Sequence, residues 1–212
     1  PDALAPVLAP WGTRVEAIPG GESFLASVVL GLEHFRASRR ILFATADLPL
    51  LTPEAVAAFL AGIDAADPRG EGSLHVSAVP KDAFTGPYAR PTKSFNGYRG
   101  MPVCHGNLFA ADPRLLEIPG VRPKIDAMYA GRKNAVATTL ALGLDIALVY
   151  MIGVEILHLI RIEPMARYVS RRFGFGIVPV LVRHPEITED IDEAADYAFV
   201  RERLAERRDE RC

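Results

Sequence analysis

At 212 residues the chain is long enough for one domain with a sizeable core, and 50% hydrophobic against 24% charged residues argues against a disordered chain. Its formal net charge of -2 gives no electrostatic basis for nucleic-acid binding. Two cysteines, Cys104 and Cys212, are too few for a disulfide framework, so a reducing, cytoplasmic setting is expected.

The elements alternate along the chain. A helix is expected near residues 2–9, a strand near 14–18, and an amphipathic helix over 22–36 with Leu25, Val28, Val29, Leu32 and Phe35 on one face. A strand over 40–45 and a helix over 53–66 follow, the helix burying Val56, Phe59, Leu60 and Ile63. Next come a strand over 74–80, a hairpin over 93–103 turning at Asn96-Gly97, and a strand around 107–111. Several helices are expected between 125 and 173, then a β-branched strand over 177–182 and a closing helix over 193–208. Asp145, Glu155, His158 and Arg161 interrupt the apolar run over 140–162, so buried helices are expected there and no membrane span. This order suits a single α/β domain over residues 1–212, its sheet mostly parallel with an antiparallel part.

The stretch Ile41 to Glu54, ILFATADLPLLTPE, carries the chemistry. The apolar run Ile41–Ala44 reads as a buried parallel strand, and Pro49 cannot donate to a ladder. Thr52, Pro53 and Glu54 have the residue types of an N-cap, a first helical position and an acidic first turn. Asp47 therefore stands at the carboxyl end of a core strand, where ligands of open α/β sheets bind. A carboxylate there either carries a divalent metal or caps a loop. In a second acidic segment, Pro185-Glu-Ile-Thr-Glu-Asp-Ile-Asp-Glu-Ala-Ala-Asp-Tyr197, Asp190 and Asp192 alternate around Ile191, which puts both carboxylates on one side of an extended backbone. That pair either shares a cation or forms a solvated loop before the last helix.

The DLPLLTPE segment resembles the "DxPlltpe" motif of the nucleotidyltransferase superfamily that includes MobA-like enzymes and cytidylyltransferases. Ile18-Pro-Gly-Gly-Glu-Ser-Phe-Leu-Ala-Ser-Val28 is similar to the cytidylyltransferase "GGxxRxxSV" turn, and the acidic segment to the family's "DIDtpeDl". Gly106-Asn107-Leu108-Phe109 and Arg132-Lys133 resemble "tgGNlfllDp" and "aRKnp" of a MobA-like branch. The resemblance implies a three-layer, Rossmann-like fold of the glycosyltransferase-A type. It implies Mg2+ on Asp47 and on Asp190 or Asp192, and nucleoside binding by Gly20, Gly21 and Ser27. Gly106 and Asn107 would contact the acceptor, unless Asn107 only turns the chain between strands, and Lys133 would either neutralise an acceptor phosphate or begin an exposed helix. The partners implied are a nucleoside triphosphate and a small phosphorylated acceptor.

Two departures stand out. Phe24 occupies the place of the family arginine, and the glycine-rich triphosphate loop of the type "LAGGxgxRMGxxK" does not occur in these residues. The second departure leaves a non-catalytic binding module as the alternative to an enzyme, with weak nucleotide binding expected of the chain. A nucleotide-sugar glycosyltransferase is a further alternative, but its Asp-x-Asp signature is broken here by Pro49.

Overall fold

The computed structural model describes residues 5–91, 93–124 and 143–209. Helix α1 (Ala5–Leu8) runs into 3-10 turns over Ala9–Arg14, kinked at Gly12 with φ 57°. The expected strand over 14–18 does not form; Arg14 ends the 3-10 turns and residues 15–18 lie outside regular structure. Extended residues become a strand only when a ladder partner sits alongside, and the local sequence does not supply one.

Helix α2 (Phe24–His34) starts where the Ser23 hydroxyl accepts the Ala26 N–H at 3.0 Å. Strand β1 (Ile41–Ala44) leads to α3 (Pro53–Ala66), whose N-cap Thr52 accepts the Ala55 N–H at 3.1 Å ahead of Pro53. Strands β2 (Leu74–Pro80) and β3 (Val103–Ala111) follow. Then come α4 (Leu144–Leu148), which continues as a π-helix over Val149–Ile156, and α5 (Ile162–Phe173), closed by Gly174 at φ 85°. Strand β4 (Ile177–Leu181) and α6 (Ala194–Asp209) complete the order.

The four strands form one mixed sheet in the order β1-β3-β2-β4. β3 is antiparallel to both β1 and β2, and only β2 and β4 pair in parallel, so the sheet is not the mostly parallel one expected. β1, expected as a buried parallel strand, is a half-exposed edge strand paired antiparallel, because β3 returns beside it and its other side has no strand partner among the described residues. One face of the sheet is sealed by α3. Phe59, Ile63, Leu108, Val79, Val180 and Ile187 are fully buried there in a single cluster. Gly62 lets α3 close on β4, since a Cβ would come within 2.7 Å of the Val180 side chain. On the other face sit α2, where Gly31 meets Phe43, and α5, which packs on β4. A second cluster, including Ala78, Tyr98, Val103, Ile146, Val154 and Met165, lies on this side.

Two local expectations change. Asn96 and Val103 do pair, but the bend between them lies at Arg99-Gly100, where Gly100 takes φ 80°. Gly97 serves a close approach instead: a Cβ there would fall 2.0 Å from the His158 ring. The apolar run over 144–159 buries Ile146 and Val154, while Leu148, Met151, Ile152, Ile156 and Leu159 are exposed, so these turns are not the buried helices expected. Among the described residues no helix is long and apolar enough to cross a membrane.

Candidate functional site

The β1–α3 connection holds Asp47 outward by alternation. Leu48 and Leu50 are buried, whereas Asp47 and Pro49 are exposed. The Leu50 carbonyl also accepts from Arg207 of α6 at 2.8 Å, which fixes the loop from behind. Across from it, the Gly20-Gly21 turn folds onto the first turn of α2. The Gly21 N–H donates to the Ser27 hydroxyl at 3.0 Å, and that hydroxyl donates to the Ser23 carbonyl at 2.9 Å. A Cβ on Gly21 would meet Ala26 at 2.5 Å, so only glycine lets the chain lie this close. Ser27 thus shapes the turn, beyond any contact with a ligand.

These two pieces face one cleft of about 570 Å3, lined by Phe24, Ser27, Val28, Phe43, Ala44, Thr45, Ala46, Asp47 and Phe109. Its floor is aromatic. Phe43 stacks on Phe109 with centroids 4.7 Å apart, and Phe24 meets Phe109 edge-on at 6.1 Å. Phe24, in place of an arginine, therefore adds a ring to the wall. At the other end the Thr45 hydroxyl oxygen is buried without a hydrogen-bond partner. A buried orphan hydroxyl beside a carboxylate is a place for a polar ligand atom or a hydrated cation.

The acidic segment is tied to the Asp47 loop. Thr52 donates to Glu186 Oε1 at 3.2 Å, and His184 Nδ1 lies 3.0 Å from the same oxygen. Sequence reasoning missed the residue that anchors this segment, Glu189. Its carboxylate is 1% exposed and is clamped by Arg90 at 2.5 Å and Lys93 at 3.2 Å. Lys93 also donates to the Thr188 carbonyl, and Arg90 lies over the Phe199 ring at 4.2 Å. Burial pushes the Glu189 carboxyl above the usual range, and the two cations work against that shift. The two cations of Tyr88-Ala-Arg-Pro-Thr-Lys93 were visible in the sequence, but their target lies about a hundred residues away. Asp190 is half-buried next to this clamp and Asp192 is exposed.

The structure brings Ser27 and Asp47 to one cleft, with Gly21 bonded to Ser27. Asp190, Asp192 and Asn107 are not among the residues lining that cleft, and Lys133 lies outside the described residues. Gly106 faces the sealed side, where a Cβ would meet the Ser77 hydroxyl at 2.5 Å and Ile187 at 3.0 Å; close packing alone demands glycine there. Among the described residues no group of three or more His, Cys, Asp or Glu could hold a metal. That is compatible with Mg2+, which takes one or two carboxylates and fills its remaining positions with water and substrate phosphate. Exposed Asp47 beside the orphan Thr45 hydroxyl fits such a partial donor set.

This architecture recurs in a solved structure described as a hypothetical transferase from Thermus thermophilus. The two chains are 26% identical, with a TM-score of 0.68, over 84% of this chain and 71% of that one. No family model matches the chain, and no curated protein matches it. The likeness supports a transferase fold for an α/β chain with a four-stranded mixed sheet.

Proposed function

We propose that the chain carries a magnesium-dependent nucleotidyl-transfer site, which joins a nucleoside monophosphate unit to a small phosphorylated acceptor and releases pyrophosphate. The observation that supports this reading is the shared cleft. Residues far apart in sequence, the Ser27 turn and Asp47, face one another at the carboxyl end of β1.

In this reading the nucleoside lies along the Gly20-Gly21 turn, with its base against the Phe24 and Phe109 rings. Its α-phosphate faces Asp47. An acceptor phosphate oxygen attacks that phosphorus in line; a new P–O bond forms, the bond to the β-phosphate bridging oxygen breaks, and pyrophosphate departs with the electron pair. A phosphate dianion brings no proton to remove, so the protein needs no general base. Asp47 would hold the magnesium ion, with water and phosphate oxygens in its remaining positions, and the ion would supply charge neutralisation on the phosphates. The buried Glu189 clamp keeps the acidic segment fixed.

Pyrophosphate release is measured with the full-length protein, Mg2+ and each of CTP, GTP, ATP and UTP against a panel of phosphomonoesters. Asp47→Asn is expected to lower turnover at least a hundredfold, since a metal ligand contributes several kcal/mol to the transition state. The exposed position predicts a melting temperature within about 3 °C of the parent. Unchanged turnover in the variant removes Asp47 from the mechanism.

A further inference from the structure

The face of the sheet that carries the Asp47 cleft has a second cavity of about 420 Å3, lying over β2 and β4 and walled by α4, the π-helical turns and α5. Its lining includes Val76, Ile146, Met151, Met165, Val169 and Pro179, and among the described residues no Lys, Arg, Asp or Glu lines it. The polar tips within it belong to Tyr98, Tyr150 and His105. Burial pushes the Tyr98 phenol up to about 12. Burial, with a hydrogen bond to Glu155, pushes Tyr150 up as well. Both phenols are neutral at pH 7, His105 stands exposed at the rim, and among the described residues no Lys or Arg lines the cavity to hold an anion.

Strand β3 connects the two cavities. His105 borders the apolar one and Phe109 the Asp47 cleft. Asn107 lies midway, at the point where the β2–β3 register slips between Val76 and Ala78. Gly106 and Leu108 face the sealed side, so alternation directs Asn107 to the open side. Four residues of strand span about 13 Å. A molecule reaching from one cavity to the other passes Asn107 and has about the length of an eight-carbon chain with a phosphate.

We propose that this second cavity takes the apolar body of the acceptor, which is the phosphate ester of an aliphatic or aromatic alcohol, not a sugar phosphate, and that its phosphate passes Asn107 to reach the Asp47 cleft. The identity of the occupant as acceptor rests on the nucleotidyl-transfer reading. A sugar ring needs several fixed donors and acceptors, whereas this cavity presents mostly alkyl, thioether and aromatic surface. Its volume suits a small molecule.

The test is calorimetry on the full-length protein with n-octyl phosphate, below its micelle-forming concentration, and with glucose 1-phosphate. No nucleotide or metal is present, so the result does not depend on transfer chemistry. Octyl phosphate is expected to bind saturably and at least tenfold more tightly than glucose 1-phosphate. Two substitutions fill the cavity from different walls, Ala166→Phe on α5 and Ala147→Phe on α4. Each is expected to weaken octyl phosphate at least tenfold, with the far-ultraviolet circular dichroism unchanged. The His105 ring resonances of the parent should shift on saturation, a readout that survives misfolding of either variant. Glucose 1-phosphate binding as tightly as octyl phosphate, unmoved His105 resonances, or folded filling variants with unaltered affinity each overturn the proposal. So does a parent that sediments as a dimer which either variant splits, since a second copy then covers the cavity. If octyl phosphate binds as described while no nucleotide is ever transferred, the cavity is a ligand site and the acceptor role fails with the reading of the Asp47 cleft.

Discussion

The two faces of the sheet differ in how completely they are filled. Against α3, Phe59, Ile63, Leu108, Val180 and Ile187 are all fully buried. On the opposite face Phe43 and Phe109 are only half-buried, and both cavities open there. The sealed face carries stability; the open face leaves apolar and aromatic surface available to ligands. The contrast places function where packing is incomplete, beside the ends of β1 and the middle of β3.

The sharpest way to break this contrast is to truncate one ring on each face. Phe59→Ala should destabilise by about 3–5 kcal/mol, because it opens a cavity among fully buried neighbours. Phe43→Ala should cost roughly half as much, since its ring is half-exposed and loses chiefly its stacking on Phe109. Urea midpoints at constant slope give both values. Equal costs would mean that the open face is as tightly built as the sealed one.

A glycine pair sharpens the same point with a smaller effect. Gly106→Ala drives a methyl to within 2.5 Å of the Ser77 hydroxyl on the sealed side, and about 1–3 kcal/mol of destabilisation is expected. Gly20→Ala, whose new carbon would meet only the Ser27 hydroxyl at 3.7 Å, should stay within about 0.5 kcal/mol. Thermal melts of the two variants side by side decide the matter. A costly Gly20→Ala would show that the Gly20-Gly21 turn is held as rigidly as the core.

The smallest effect is a pH dependence seated at the sealed edge. His75 is fully buried and its Nε2 lies 3.0 Å from Asp67 Oδ2, while Asp67 also accepts the Glu71 and Gly72 N–H groups. Burial lowers the His75 value below its ordinary 6.5. For Asp67 burial acts upward, but the bonds from Gly72, His75 and Glu71 outweigh it and the net direction is down. In both cases the unfolded chain binds protons more readily than the folded one. Stability therefore falls as pH drops below about 6.5 through the histidine, and again below about 3.9 through the aspartate. His75→Gln should flatten the first decline and leave the second; an unchanged profile between pH 7 and 5 would move that titration elsewhere.

Much of the fold was legible because its signals are local. The expected bounds of α3, Pro53–Ala66, and of β2, Leu74–Pro80, coincide with the observed ones. Thr52 and Pro53 set the start of α3 within four residues of chain, and β-branched or apolar runs set the strands. The buried face of α3 was less legible. Leu60 is 43% exposed, and Ala55, Phe59 and Ile63 are the buried residues, because β4 and Gly62 decide which side of the helix turns inward. The stretch 14–18 looked like a strand for the same local reasons and failed for want of a ladder partner.

The sequence by itself determined the capped start of α3, where β1 to β4 lie along the chain, the glycine turn before α2 and the placing of Asp47 just beyond a strand. Each depends on backbone preferences and hydrogen bonds that reach only a few residues. Tertiary structure alone decided that Ser27 and Asp47 share a cleft, that Arg90 and Lys93 clamp Glu189, and that β3 slips its register at Asn107 between two cavities. Those features join segments twenty to a hundred residues apart. They are fixed by strand order and by which faces close on one another, and no local propensity encodes that choice.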